Sequence, residues 1–459
     1  MSDRGFLVLT MALGIAVAWL RYKIQIFTFI VNWRLAVASA ITLGAIGCLI
    51  YLRGKIRAKN REHESENEII TPIEGEDCVF AGLSTKGKNV YVKQPFRKMH
   101  TQVVGTTNAG KTESVILPWA IDDIKKGRGL LIIDGKSDMS LLNKLYAYAK
   151  RHHRENDVRV LSLCNVGISH TFNPLSGGSA FEITERVFNA FNFESEYFKS
   201  IQYDAFLHSL LILEAVGIKP TPLRMIECMK NEKALADLAV ASKTPRLQVW
   251  AGEFLKLNRD EREQRTSGLV AQLQSFAVGE TSQVFNTEIS DVNLEQALEH
   301  GEIIYCQLPA LKIPALGKAT GKMILQCLQS AVSSRHLGKY ERQGFFSVYL
   351  DDFTEYLTPS FVTLLNKSRS ANVGIVFAHQ ALGDLDGLGD GVKNTILTNS
   401  NLKVFMRTNE PESAEYFSSV IGTIQGSKVT ERQTEGLFGS EKTGDGSVRE
   451  VEEFKYHPN

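Results

Sequence analysis

Apolar residues fall along the chain in four regimes. Gly5–Leu20 and Leu35–Leu52 carry no charge, and each is near the minimum length for a bilayer span. Arg21, Lys23 and Arg34 bracket a link between them that is itself apolar from Ile24 to Trp33. This pattern predicts a two-helix transmembrane hairpin within residues 1–60, with spans at 5–20 and 35–52. From 61 to 178, short apolar runs alternate with turn residues. Thr101–Val104, Gly129–Asp134 and Val158–Leu163 read as buried strands, and Asp77–Met99 as a β-hairpin. From 179 to 300 the strand runs vanish. Phe181–Phe191, Tyr203–Val216, Leu223–Ala241, Gln248–Leu257, Arg265–Phe276 and Leu294–His300 carry a helical period. Strand runs return over 301–459 at Glu302–Leu308, Phe345–Phe353, Val373–Gln380 and Asn401–Arg407, with a helix over Lys318–Leu337. Gly422–Ser447, rich in Gly, Thr, Ser and charge, reads as a mobile loop, and a strand follows it. The expected architecture is an α/β domain split by an all-α insertion and preceded by a membrane hairpin.

Charge sharpens the membrane reading. Residues 1–61 hold nine Lys and Arg against Asp3, a net +8, while the whole chain is +1, so residues 62–459 carry −7. The densest positive run, RGKIRAKNR after Leu52, places the body in the cytoplasm by the positive-inside rule. The alternative is a signal peptide with Ala16-Val17-Ala18 as its cleavage site, after which Leu35–Leu52 still anchors the chain. A body of net −7 is not a broadly basic nucleic-acid binder, so any DNA contact belongs to a local patch or channel lining. The six cysteines are scattered without a C-x-x-C, which fits reduced thiols rather than a disulfide or zinc framework.

The candidate chemistry centres on Gly105-Thr106-Thr107-Asn108-Ala109-Gly110-Lys111-Thr112, which fits G-x-x-x-x-G-K-[ST] between a strand and a helical period. Gly105 is expected to turn the chain off the strand, and Gly110 to let backbone N–H groups face a phosphate. Lys111 is placed to reach the β- and γ-phosphates of ATP, and the Thr112 hydroxyl to ligate Mg2+. Glu113 joins the nucleotide-binding set at the helix start. Phe345–Phe353 ends in Asp351-Asp352, as the strand after a P-loop does in ring ATPases. Asp351 is assigned to the Mg2+ shell and Asp352 to orienting the attacking water, with Glu355 as a candidate to compensate for the shorter Asp. Gln380 ends another buried strand, where it is placed to sense the γ-phosphate as in RecA-like motors. Arg369 and Arg407 are the candidates for an arginine finger. Asp134-Gly135-Lys136-Ser137-Asp138 sits at the carboxyl end of a strand, either as a ligand-binding loop or as a solvated turn.

Taken together, HTQVVGTTNAGKT, GLLIIDGKSD, HTFNPL, QRTSGLVAQL, EIIYCQLPAL, LDDF, FAHQ and SVREVEEF resemble, in order, the TraD/TraG-type coupling ATPases of type IV secretion and conjugation. Two departures stand out: LDDF replaces the usual Asp-Glu pair, and the family usually continues past the point where this chain ends. The resemblance implies a RecA-like P-loop NTPase domain with an inserted all-α domain, divided as 61–178, 179–300 and 301–459. It also implies a homo-hexameric, multi-pass inner-membrane motor that hydrolyses ATP with Mg2+. Such a motor delivers relaxase-bound single-stranded DNA or secreted proteins to inner-membrane components of a type IV secretion channel. Two rival readings are a receptor that binds ATP for assembly without pumping, and an FtsK-like duplex DNA translocase.

Overall fold

The computed structural model describes residues 11, 14–34, 44, 47, 48, 51 and 77–456, apart from 310, 340–342 and 437–438. It divides into two units: Met1–Glu76 with Gly82–Tyr91, and Asp77–Ala81 with Val92–Asn459.

In the first unit, helix α1 spans Gly14–Arg34 and is long and apolar enough to cross a membrane, the one such helix among the described residues. This corrects the expected link at 21–34. No Gly or Pro follows Gly14 before Arg34, so nothing in this stretch breaks a helix or favours a turn. The second expected span, 35–52, lies outside the described residues except for Gly44, Gly47, Cys48 and Tyr51, which are helical.

In chain order, the elements after α1 begin with β1 (Cys78–Leu83), β2 (Asn89–Lys93), α2 (Gln94–Arg97) and β3 (Thr101–Val104). A π-helical turn, Thr112–Ile116, then leads into α3 (Leu117–Lys125), followed by β4 (Gly129–Asp134), α4 (Met139–Arg151) and β5 (Val158–Ser162). The helical stretch holds α5 (Ala180–Ala190), α6 (Glu196–Val216), α7 (Pro222–Lys230), α8 (Glu232–Ala241), α9 (Pro245–Lys256), α10 (Arg259–Gln264), α11 (Ser267–Ala277), α12 (Ser282–Phe285) and α13 (Leu294–His300). The last part runs β6 (Ile303–Gln307), α14 (Pro314–His336), β7 (Phe346–Asp351), α15 (Ser360–Ser368), β8 (Val373–His379), α16 (Asp390–Asn399), β9 (Leu402–Phe405), α17 (Pro411–Ile421), β10 (Thr423–Gly436) and β11 (Gly439–Phe454).

Seven strands form one sheet in the order β5-β6-β4-β7-β8-β3-β9, and every pairing in it is parallel. Parallel pairing sets all the carboxyl ends along one edge, where Asp134 stands opposite both Gln307 and Asp351. β4, β6, β7 and β8 are buried at every position, as the continuous apolar runs require. Alternate residues serve the two faces. Leu130 and Ile132 share a core with Leu117, Ile124 and Leu145 of α3 and α4. Leu131 and Ile133 share another with Ile324 and Leu328 of α14 and Phe188 of α5. That second core runs on into α6 and α11, while α8 and α9 form a separate apolar cluster with residues of α6 and α7. Leu223–Ala241, expected as one helix, is two: Asn231 interrupts it, and its side chain accepts from the N–H groups of Lys233 and Ala234 to cap α8. The expected loop at Gly422–Ser447 is instead the antiparallel β10–β11 ribbon, with Val429 opposite Val448 and Thr430 opposite Ser447. Val and Thr at paired positions favour strand, which the Gly-rich composition concealed.

A buried charge network lies at the amino-terminal end of the sheet. Arg97 grips Asp123 through two bonds of 2.7 and 2.8 Å, Arg128 adds a third of 2.7 Å, and Tyr349 donates to the same carboxylate at 2.5 Å. Nearby, His100 is only 2% exposed. Its Nε2–H donates to the Leu365 carbonyl (2.8 Å) and its Nδ1 accepts from the Ile375 N–H (3.2 Å). That set satisfies the neutral ring and leaves no acceptor for a second proton, and burial lowers the pKa from 6.5 to about 4. A folded-state pKa below the unfolded one means that the unfolded chain binds more protons between those values. The stabilisation is therefore complete above pH 6.5 and lost as pH falls towards 4, by about 3 kcal/mol. Denaturant unfolding is expected to show this loss between pH 7 and 4.5, and His100→Gln to flatten that part of the profile. A second prediction concerns α14. A Cβ on Gly321 would lie 2.2 Å from the buried Tyr356 ring. Gly321→Ala is expected to cost roughly 1–3 kcal/mol, seen as a lower melting temperature; an unchanged one would contradict this packing.

Candidate functional site

The loop between β3 and α3 is held from both sides. Gly105 N–H donates to the His379 carbonyl (3.2 Å) and Thr106 N–H to the Arg407 carbonyl (2.9 Å), so the ends of β8 and β9 clamp its start. Gly105 is required for a reason other than the expected turn: a Cβ there would sit 2.9 Å from Met406 Cβ and 3.1 Å from Ala109 Cβ. Gly110 does need its freedom, with φ +94°. Asn108 also adopts a left-handed conformation (φ +64°), and Thr107 and Asn108 form the exposed crest. The π-helical start of the following helix has a chemical cause. Pro118 lacks an N–H for the Ser114 carbonyl, and its ring crowds that carbonyl.

Lys111 is buried, and its Nζ donates to the carbonyls of Gly105 (2.6 Å) and Thr106 (3.3 Å). Burial lowers its pKa, against the pull of Asp352. The Thr112 hydroxyl donates to Asp351 Oδ2 at 2.8 Å, which joins the P-loop to the end of β7. Asp351 is buried with its Oδ1 unpartnered, and burial raises its pKa. Asp352 turns outward through a left-handed backbone (φ +48°, ψ +48°) and stands 3.2 Å from Lys136 Nζ, which also lies 3.7 Å from Asp351. Gln380 follows β8, exposed, with its amide oxygen accepting from Thr107 Oγ1 at 3.4 Å and its N–H donating to Asp384 at 2.8 Å.

Thus the structure gathers Gly105 to Thr112, Asp351, Asp352 and Gln380 at one edge of the sheet. Other candidates fall elsewhere. The Glu113 carboxylate pairs with Lys144 of α4 at 2.7 Å, leaving its N–H rather than its side chain at the loop. Glu355 pairs with Lys318 of α14 at 2.6 Å and so does not replace Asp352. Arg369 follows α15, at the opposite end of the sheet from the P-loop, whereas Arg407 follows β9 beside its own P-loop. Of Asp134 to Asp138, the first two residues are buried, while Lys136 and Asp138 are exposed. Asp134 is buried and accepts from the N–H groups of Lys136 (2.9 Å) and Asp138 (2.6 Å) and from the Tyr305 hydroxyl (2.6 Å). The contact of Lys136 with both acids was missed; its one signal in the sequence was a strand ending in Asp-x-Lys.

The residues fit a Mg2+–nucleotide pair. Asp351 offers an unpartnered buried oxygen, Thr112 a hydroxyl, and both are hard donors of the kind Mg2+ takes. Among the described residues no cluster of three or more His, Cys, Asp or Glu is placed to hold a metal, in keeping with an ion held by one or two protein groups and phosphate oxygens.

Known proteins share this fold. The Type 4 coupling protein DotL of Legionella pneumophila subsp. pneumophila is 22% identical over 418 residues, covering 77% of this chain and 53% of DotL. The chain thus spans about half the length of that curated relative. The bacterial conjugative coupling protein TrwB, in a trigonal form with sulphate, shares the fold at a TM-score of 0.60 and 15% identity, with 84% of each chain covered. TrwB in complex with ADP and Mg2+ gives 0.55 at 14% identity, with 82% of each covered. Residues 52–449 match the family described as Type IV secretory system Conjugative DNA transfer, and the chain belongs to that family.

Proposed function

We propose that the chain is a membrane-anchored ATPase that couples DNA–relaxase or protein substrates to a type IV secretion channel. The single observation that carries the nucleotide reading is the Thr112 hydroxyl on Asp351 at the P-loop, with the other Asp351 oxygen buried and unpartnered. The coupling role rests on family membership and on the name of DotL.

In this reading the N–H groups of Thr106 to Glu113 cradle the phosphates, and Lys111 exchanges its loop carbonyls for β- and γ-phosphate oxygens. Thr112 and Asp351 would hold Mg2+, which when bound would supply charge neutralisation on the phosphate oxygens. Asp352 orients the attacking water and accepts its proton. Gln380, bonded to the P-loop crest, reports the γ-phosphate to β8. Helix α1 anchors the protein in the inner membrane. A homo-hexamer around a channel places an arginine, Arg369 or Arg407, at a neighbour's nucleotide. The all-α stretch 180–300 receives the substrate, single-stranded DNA with its relaxase or a secreted protein, before inner-membrane secretion components take it.

ATP turnover of the detergent-solubilised chain, with and without single-stranded DNA, tests the reading. Turnover is expected, stimulated by DNA, and reduced at least about a hundredfold by Lys111→Ala. ATP binding without turnover under any DNA condition would overturn the motor and favour a receptor that uses ATP for assembly.

A further inference from the structure

We propose that Lys136 is a positioning residue for hydrolysis, a tethered cation that aims the Asp352 carboxylate and offsets the charge of the adjacent Asp351–Asp352 pair. This rests on the ATPase reading above and assigns a role to a residue outside the P-loop and the β7 acids.

The loop that carries Lys136 is pinned on all sides. Asp134 accepts from the Lys136 and Asp138 N–H groups, and Tyr305 fixes the same carboxylate. Asp138 in turn accepts from the Ser140 N–H at 2.7 Å and caps α4. Gly135 packs beneath Tyr356, where a Cβ would lie 2.6 Å from the hydroxyl. Ser137 takes a left-handed conformation, φ +60°. Such backbone persists where its surroundings hold it, and here the outcome is an ammonium delivered to two acids, 3.2 Å from Asp352 and 3.7 Å from Asp351.

Lys136 is the cation that the Asp352 carboxylate faces. The Asp352 backbone is left-handed and the side chain is one methylene shorter than Glu, so its reach is set by that backbone and biased by the ammonium. Glu355 is committed to Lys318. Adjacent carboxylates also repel, and a buried Asp351 intensifies that repulsion. A half-exposed surface ion pair ordinarily contributes little. Lys136 is 51% exposed, but one of its partners is 2% exposed and the loop behind it is hydrogen-bonded to Asp134, so its effect falls on geometry and local charge rather than on stability.

The test compares Lys136→Met and Lys136→Arg with the unsubstituted chain in three measurements. These are the dissociation constant for MgATP, kcat, and binding of Mn2+ alone to nucleotide-free protein by electron paramagnetic resonance. Lys136→Met is expected to bind MgATP within about threefold of the unsubstituted chain while kcat falls roughly 10- to 100-fold. Arg is expected to restore most of that kcat. Mn2+ alone is expected to bind Lys136→Met at least about threefold more tightly, because the competing cation is gone. Unchanged kcat, a kcat loss matched by an equal loss of ATP affinity, or unchanged Mn2+ affinity would each overturn the proposal. An unsubstituted chain that binds MgATP without turnover would overturn the ATPase reading and the positioning role with it, while the Mn2+ comparison would still decide whether Lys136 neutralises the acid pair.

Discussion

The hydrogen bond from the Thr112 hydroxyl to the Asp351 carboxylate, 2.8 Å long between residues 239 apart in sequence, is the contact on which the site depends. It exists because β8 lies between β3 and β7 and all three run parallel. The P-loop and the acidic strand end therefore meet at one edge, across the width of one strand. Moving β3 or β7 away from β8 would separate them. The buried Arg97–Asp123–Tyr349 network ties α2 and α3 to β7 from the other end of the sheet. Removing one partner of such a network leaves a buried charge uncompensated, so the amino-terminal end supports the geometry that the carboxyl-terminal end uses.

The same edge connects to the helical stretch. The turn after Asp352 places Tyr356 against Gly321 and Glu355 against Lys318, both on α14. α14 shares its apolar core with α5, α6 and α11. The acid pair and the helices of 180–300 are thus joined through one close-packed interior.

Much of the α/β layer was legible in the sequence. Gly129–Asp134 and Phe346–Asp351 read as strands because both are buried on two faces, so their apolar runs are continuous up to the terminal acid. The P-loop was legible from its spacing. What escaped was set by contacts between distant residues. Asp134 was legible as the last residue of a buried strand, but not as the acceptor that shapes the next loop. Glu355 looked available but faces α14. Arg97, His100 and Asp123 carried no local signal, since burial of a polar group shows only once its partners are in place. In the other direction, the charges at Arg21 and Lys23 suggested a link where the backbone had no reason to leave the helix. The Gly and Thr content of 422–447 likewise hid a paired ribbon.

In the proposed function, Thr112 and Asp351 act as one metal-holding unit for the nucleotide. A double-mutant cycle on Mg2+-dependent ATP binding, with Thr112→Val, Asp351→Asn and the double variant, measures it most directly. Strong non-additivity is expected, with the double variant binding about as weakly as the worse single one. Free-energy changes that simply add would show that the two residues act independently and would contradict the shared site.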